Sequence, residues 1–170
     1  MMLVVNYVEE SIDIDADPDA VYTMVADMAR MGDWSPENVG GRWLGDATGF
    51  VVGAQFRGDN RRGLRGPNSK GVLRWHTMST VSEVDPGRRL AFTVVFLGSE
   101  VSEWRYSFET TAKGCTVTER WTDRRTARGR RIDDAYVRYA LRTKDRGEWN
   151  LRNIRTTLAN LKSKAESPKP

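Results

Sequence analysis

The last third of the chain carries the pattern that most restricts its fold. Apolar residues recur there at spacings of three, four, three and four, which is typical of one buried face on an α-helix of roughly twenty residues. A helix of this kind is stable only when its apolar stripe packs against another element, so the rest of the chain must supply a matching surface. The residues of the stripe are Leu151, Ile154, Leu158, Leu161 and Ala165.

The segment from Val39 to about Asp123 has the periodicity of strands. Apolar and polar residues alternate along most of it, as they do in half-buried strands. Turn signals separate the alternating runs, among them Asp85-Pro86-Gly87-Arg88 and Lys113-Gly114. Because successive strands joined by such turns run in opposite directions, the sequence predicts an antiparallel sheet.

Shorter elements lie before and after this segment. Residues 11–16 alternate as a strand, and Asp17-Pro18 then predicts a helix N-terminus with proline at the first helical position. We expect two short helices before residues 32–36 end this helical part. A further short helical stretch is predicted around residues 132–140.

These elements predict an α+β helix-grip fold, in which a curved antiparallel sheet of six or seven strands wraps around the long C-terminal helix. Laying the helix across the concave face buries one sheet face and the helix stripe together. The length of 170 residues suits one domain. We assign residues 1–166 to it and expect residues 167–170 to form a disordered end.

The interior of this fold is predicted to hold a ligand pocket. Large rings fall on strand faces that can turn inward, and rings along a curved sheet leave space near its open end. Such clefts suit apolar ligands that make a few fixed polar contacts. The predicted ligand-binding residues are Trp34, Trp43, Phe56, Asn60, Trp75, Phe92, Phe96, Trp104, Tyr106, Glu119, Trp121, Ile154 and Leu158.

Several local motifs, in their order along the chain, are similar to a known group. They include 17–22 (DPDAVY), 31–37 (MGDWSPE), 52–60 (VGAQFRGDN), 117–121 (VTERW) and 157–162 (TLANLK). Over roughly residues 5–166 the chain resembles the SRPBCC superfamily of START-like and birch-pollen-allergen-like proteins, and within it the polyketide cyclase/dehydrase-like family. The resemblance implies a cavity for lipids, sterols or polyketides. Two departures are the Arg61–Gly71 loop, which looks like an insertion, and His76, where a small hydroxyl residue is more usual.

Among the polar residues, Glu119 is the leading candidate for a functional role. It alternates with Val117 and Trp121, so it shares their face of the sheet. One interpretation is a pocket anchor or general acid/base with a raised pKa. The other is a carboxylate at the strand end, bonded to an arginine or a backbone N–H at the rim. Asn60 shares the face of Phe56 and is a second candidate hydrogen-bonding group.

Metal, nucleotide and triad chemistry have little support in the sequence. His76 is the single histidine, so a metal site would have at most one imidazole. If Trp75 and Thr77 face inward, strand parity directs His76 to solvent, whereas a bulge would reverse that parity. Zinc-protease and P-loop motifs are lacking. We therefore predict no cofactor, no metal and no assigned catalytic residue.

Charge and cysteine content bear on location and partners. Residues 1–123 hold 13 Lys and Arg against 18 Asp and Glu, whereas residues 124–170 hold 14 against 5. This basic end is either a solvated helix face or a surface for a protein or nucleic acid. The lone Cys115, the lack of a secretory signal and the lack of a long apolar run predict a cytoplasmic protein.

Three functions remain open from the sequence. The first is binding or carriage of a hydrophobic or amphipathic small molecule by a monomer or homodimer, without nucleic acid. The second is a cyclase, aromatase or dehydratase acting on a polyketide-like substrate, with Glu119 and Tyr106 as its acid–base pair. The third is an interaction module that uses the basic C-terminal helix.

Overall fold

A computed structural model describes residues 7–63, 72–96, 98–125 and 146–167 of the chain. The predicted helical stretch around residues 132–140 lies outside the described residues. The same holds for most of the Arg61–Gly71 loop and for residues 168–170 of the predicted disordered end.

The described residues form one antiparallel sheet of seven strands in the order β1-β7-β6-β5-β4-β3-β2. Neighbours in sequence from β2 to β7 are neighbours in space, as the predicted hairpins require. The first strand closes the opposite edge by pairing with the last, Ile14 with Cys115 and Val8 with Trp121. The strands are β1 (Tyr7–Ile14), β2 (Asn38–Trp43), β3 (Gln55–Gly63), β4 (Val72–Asp85), β5 (Arg89–Phe96), β6 (Ser99–Thr110) and β7 (Cys115–Asp123).

The predicted pair of short helices follows β1. An α-helix spans Pro18–Ala26 and a 3-10 helix spans Met28–Asp33. Pro18 occupies the first turn, where its missing N–H removes no helical hydrogen bond. The side chain of Asp17 makes no capping hydrogen bond, so the start of this helix depends on the proline and on burial of Val21 and Val25.

The C-terminal helix spans Arg146–Ala165 and packs against β1 and β7. Its buried face consists of Asn150, Ile154, Thr157, Leu158 and Leu161. The predicted stripe is therefore correct from Ile154 onward. Near the start of the helix, Asn150 is buried, whereas Leu151, which the stripe predicted to be buried, is only half-buried. The α+β architecture with a long helix against one sheet face is confirmed.

The hydrophobic core lies between the sheet and this helix. It includes Ile14, Val117 and Leu90 from the strands and Leu158 and Leu161 from the helix. Within the described residues, no helix combines the length and apolarity that a membrane span requires.

Candidate functional site

A cavity of about 110 Å³ lies between the inner face of the sheet, the 3-10 helix and the C-terminal helix. Aromatic and aliphatic side chains share its wall with hydroxyl, amide and carboxyl groups. Eight of the predicted ligand-binding residues are brought together around it: Phe56, Asn60, Trp75, Phe92, Trp104, Tyr106, Glu119 and Ile154.

The other five predicted residues lie outside this lining. Trp34, Trp121 and Leu158 are buried in the hydrophobic core, and Trp43 is partly buried against it. Phe96 is half-buried near the end of β5. Strand parity identified the correct face of the sheet, but it does not tell which rings on that face border empty space.

Ring packing explains why part of the aromatic wall encloses no space. Trp43 meets Phe50 and Phe56 edge-on, with ring centroids 5.1 and 5.4 Å apart. Phe56 meets Phe92 in the same manner at 5.1 Å. Aromatic pairs favour these arrangements, so the cluster fills its end of the interior. The cavity begins beyond Phe56 and Phe92, toward Trp75 and Trp104.

Glu119 and Tyr106 form the polar centre of the wall. They face each other across the β6–β7 pair, and the Tyr106 hydroxyl donates a 2.6 Å hydrogen bond to Oε1 of Glu119. Glu119 is 3% exposed, and its Oε2 atom is buried without a hydrogen-bond partner in the part of the chain that the structure describes. The hydrogen-bond partner of Glu119 is therefore Tyr106, and not the arginine or backbone N–H expected for a carboxylate at the rim.

Burial determines the protonation of this pair. Loss of hydration raises the pKa of Glu119 from 4.5 to about 8, and the hydrogen bond from Tyr106 opposes the shift only in part. Burial also raises the pKa of Tyr106 well above 10, and the nearby Glu119 adds to the effect. Both groups are therefore mainly neutral at pH 7. The site presents a carboxylic acid, not a carboxylate, to its cavity.

The C-terminal helix adds polar residues that the sequence analysis did not select. Asn150 is 1% exposed and lines the cavity, and its Nδ2 atom has no partner within residues 7–63, 72–96, 98–125 and 146–167. Thr157 is buried two turns later and also lines the cavity. Their spacing in the sequence could have identified them, because Asn150, Asn153 and Thr157 lie at helical spacing on the face that carries Ile154.

A carboxylate joins the helix to the segment before β2. Glu37 accepts hydrogen bonds at Oε2 from Trp149 Nε1, at 2.7 Å, and from Asn153 Nδ2, at 2.9 Å. Its Oε1 accepts from Arg146 Nη2 at 3.4 Å. The Arg62 guanidinium lies 3.5 Å from the Trp149 ring centroid, a cation–π contact. Glu37, Arg146 and Asn153 all line the cavity, so this junction forms part of its wall.

His76 lies away from the cavity. It is the register partner of Asp59 on the outer face of the sheet, and its side chain is 67% exposed. Trp75 and Thr77, its neighbours in sequence, line the cavity as strand alternation requires. Within the part of the chain that the structure describes, no cluster of three or more His, Cys, Asp or Glu side chains is arranged to hold a metal.

The basic residues of the described chain are largely held by acidic neighbours. Arg57 pairs with Asp59 at 2.7 Å beside the predicted insertion. On the C-terminal helix, Arg155 pairs with Glu10 and Lys162 with Glu166, both at 2.7 Å. These contacts favour the solvated-face interpretation of the helix charge over a free polyanion-binding surface.

Comparison with solved structures supports the fold. The polyketide-cyclase-like protein Cgl2372 of Corynebacterium glutamicum is 29% identical, with a TM-score of 0.61 over 95% of this chain and 91% of that one. The protein CV1439 of Chromobacterium violaceum is 16% identical, with a TM-score of 0.66 over 96% and 99%. The di-domain ARO/CYC StfQ of the steffimycin biosynthetic pathway is 16% identical, with a TM-score of 0.63 over 95% of this chain and 51% of that one.

Sequence comparison identifies the family directly. No curated protein was found to match the chain. Residues 7–166, however, match the family described as polyketide cyclase/dehydrase and lipid transport. This range includes every strand and helix described above, together with the cavity between them. The chain therefore belongs to the polyketide cyclase/dehydrase and lipid transport family, within the SRPBCC superfamily that its motifs resemble.

Proposed function

We propose that the protein binds a small amphipathic molecule in the cavity between the sheet and the C-terminal helix. The apolar part of the ligand packs against Trp75, Phe92 and Trp104, and an oxygen of the ligand accepts a hydrogen bond from protonated Glu119. The observation that carries the proposal is the buried Glu119–Tyr106 pair, in which Oε2 of Glu119 has no partner among the residues that the structure describes. A buried polar group without a partner is costly, and a ligand oxygen supplies one.

The size of the cavity limits what fits. An apolar cavity of about 150 Å³ accepts one benzene ring, whereas pockets for drug-sized ligands reach roughly 300–1,000 Å³. A volume of about 110 Å³ is below the benzene value, so the cavity encloses a short chain or part of a ring. A larger molecule would place only its oxygen-bearing end inside, with the remainder toward Glu37 and Arg146.

The chemistry of the pair favours binding over catalysis. A neutral carboxylic acid and a neutral phenol both donate hydrogen bonds, but neither is a strong proton acceptor at pH 7. Cyclisation or dehydration needs a base as well as an acid. The described wall contains one other carboxylate, Glu37, and its oxygens are occupied by Trp149, Asn153 and Arg146.

A cyclase or dehydratase role is the second candidate, and one observation favours it. The pKa of Glu119 is about 8, close to the operating pH, which suits a general acid. Turnover of a poly-β-ketone substrate that disappears in Glu119→Gln and persists in Glu109→Gln would support this role. Glu109 is an exposed carboxylate on β6 and serves as the matched control.

Binding is tested by filling the cavity. Thr157→Leu places extra volume in the cavity wall, whereas Thr156→Leu makes the same change on the exposed side of the helix. Phenol and benzaldehyde are titrated into ¹⁵N-labelled protein, and the indole signals of Trp75 and Trp104 are followed. We expect saturable shifts in wild type and Thr156→Leu, and none in Thr157→Leu. Equal shifts in all three proteins would contradict a ligand in this cavity.

A cytoplasmic location and a monomeric or homodimeric state remain predictions from the sequence. Native mass spectrometry of the purified protein measures the oligomeric state and reveals any ligand that co-purifies.

A further inference from the structure

Two arginines face each other on the outer surface of the sheet. Arg61 of β3 and Arg74 of β4 are direct register partners. Their sequence neighbours Asn60 and Trp75 line the cavity, so strand alternation directs both arginines to the opposite face, where both are exposed. Side chains directly opposite each other on antiparallel strands have Cβ atoms about 5 Å apart, and like charges in that arrangement destabilise the strand pair.

The acidic residue closest to this pair in sequence does not neutralise it. The carboxylate of Asp59, two residues before Arg61, is held by Arg57 at 2.7 Å. The sequence of residues 64–71, between the two strands, adds two positive charges and no acidic residue. Within the part of the chain that the structure describes, neither Arg61 nor Arg74 forms an ion pair with a carboxylate. The two like charges therefore lack a counter-charge among the described residues.

A second arginine pair on the outer face shows how this fold can neutralise such a contact. Arg105 and Arg120 are register partners across β6 and β7. Arg105 pairs with Glu83 at 2.5 Å, and Arg120 pairs with Glu9 at 2.6 Å. Each of these arginines has its own carboxylate, which the β3–β4 pair lacks in the described chain. An external anion would supply the missing counter-charge.

The chemistry of two adjacent guanidinium groups selects the anion. Each guanidinium offers a planar fork of N–H donors that matches two oxygens of a carboxylate or a phosphate. A carboxylate has two oxygens and one negative charge, so it suits a single arginine. A phosphate monoester group has three free oxygens and nearly two negative charges at about pH 7. The pair therefore matches a phosphate group better than a carboxylate.

We propose that Arg61 and Arg74 form a phosphate-binding site on the outer face of the sheet, in which one phosphate group bridges the two guanidinium groups. Binding would remove the repulsion between β3 and β4 and so stabilise this strand pair. The site lies on the face opposite the cavity, so it stands or falls independently of the cavity ligand. The phosphate belongs to a soluble phosphorylated molecule or to a lipid headgroup, and the experiment has an arm for each source.

The soluble arm uses inorganic pyrophosphate in low-salt buffer. A ligand that binds only the folded protein should raise the melting temperature by roughly 3–5 °C at about ten times its dissociation constant. Sodium chloride at equal ionic strength is the reference, because it screens the two charges without bridging them. The side-chain ¹⁵Nε signals of Arg61 and Arg74 should shift together and saturate. Equal effects of chloride and pyrophosphate would overturn the proposal.

Single substitutions locate the site. Arg61→Gln and Arg74→Gln each remove one fork and one charge, and each should weaken pyrophosphate binding by roughly ten- to a hundredfold in isothermal titration calorimetry. Without phosphate, each should melt above wild type, because the like-charge contact is gone. Arg88→Gln is the matched control, since Arg88 is an exposed arginine in the β4–β5 turn, and it should bind as wild type does. Wild-type affinity in the Arg61 and Arg74 variants, or melting below wild type, would contradict the site.

Co-sedimentation with vesicles identifies the source of the phosphate. Phosphatidylcholine vesicles are prepared with and without phosphatidic acid. Sedimentation of wild type only with phosphatidic acid, and its loss in Arg61→Gln and Arg74→Gln, would support the site and assign the phosphate to a lipid headgroup. Pyrophosphate binding without sedimentation would support the site and assign the phosphate to a soluble molecule. A protein that responds to neither pyrophosphate nor phosphatidic acid would have no phosphate site.

Discussion

The hydroxyl of Tyr106 donates a 2.6 Å hydrogen bond to Oε1 of Glu119, its direct register partner across β6 and β7. Both side chains are almost completely buried and both border the cavity. The phenol therefore holds the carboxyl group in one orientation, and Oε2 has no hydrogen-bond partner among the described residues. Two measurable consequences follow from this pair, and two more follow from close contacts elsewhere in the fold.

Replacing Glu119 by Gln will flatten the pH dependence of stability. The folded protein keeps a proton on Glu119 up to about pH 8, whereas the unfolded chain releases it near 4.5. The proton on Glu119 therefore stabilises the folded state fully below pH 4.5, less as the pH rises, and not at all above about pH 8. The free energy of unfolding changes by on the order of 5 kcal/mol across this range. Urea unfolding between about pH 5 and pH 8 measures the free energy of unfolding, which should decline in wild type but much less in the variant.

Two titratable side chains lie opposite Glu119 on the neighbouring strands. Tyr106 faces it from β6, and Glu10 is its register partner on β1, where it pairs with Arg155 of the helix. Glu109→Gln, on the exposed end of β6, is the control and should retain the wild-type slope. Parallel slopes in wild type and Glu119→Gln would show that Glu119 is ionised throughout this range.

Replacing Tyr106 by Phe will raise the pKa of Glu119 above about 8, since the hydrogen bond from Tyr106 stabilises the carboxylate form. The variant should also lose roughly 1–3 kcal/mol of stability, because a buried acceptor is left without its donor. Carbon-13 NMR of the Glu119 carboxyl group follows the titration directly. Tyr22→Phe is the matched control, since Tyr22 packs edge-on against Phe108 outside the cavity lining. An unchanged titration in Tyr106→Phe would exclude this hydrogen bond in solution.

Replacing Glu37 by Leu will loosen the start of the C-terminal helix. The change removes the acceptor for Trp149, Asn153 and Arg146, and we expect a loss of about 2–3 kcal/mol. Urea unfolding checks the size of the effect. Glu148→Gln removes an exposed pair with Arg152 on the same helix and should change stability by less than about 0.5 kcal/mol. Similar values for both variants would mean that Glu37 does not anchor the helix.

Replacing Gly114 by Ala will destabilise the protein by roughly 1–3 kcal/mol. A Cβ atom at this position would lie 2.2 Å from the Ile14 carbonyl oxygen and 2.6 Å from the Ala16 nitrogen, so the β6–β7 turn would have to move away from the end of β1. Thermal unfolding compares it with Gly49→Ala, whose Cβ would meet nothing within 4 Å. Equal melting temperatures for the two variants would contradict this close approach.

The order of elements could be predicted from the sequence because periodicity is a local property. The helix stripe from Ile154 to Leu161 and the hairpin at Asp85–Arg88 depend on residues within a few positions of one another. Parity also assigned Glu119 and Phe56 to the inner face. The helical spacing failed at Leu151, since the helix turns a polar residue, Asn150, toward the cavity.

The composition of the site depends on contacts between distant segments. Glu37 meets Trp149 across 112 positions of the chain, and no local pattern indicates that contact. Parity likewise could not separate Trp75, which borders the cavity, from Trp43, which is packed among other rings.

The sequence by itself therefore determined the helix, the strands and the side of the sheet on which each ring lies, because backbone periodicity sets these through neighbouring residues. Only the tertiary structure decided where the interior stays open, that Glu119 meets Tyr106, and that Asn150 completes the wall. Those outcomes depend on strand register and on how side chains of different size fill a shared volume, and both are properties of the whole packed chain.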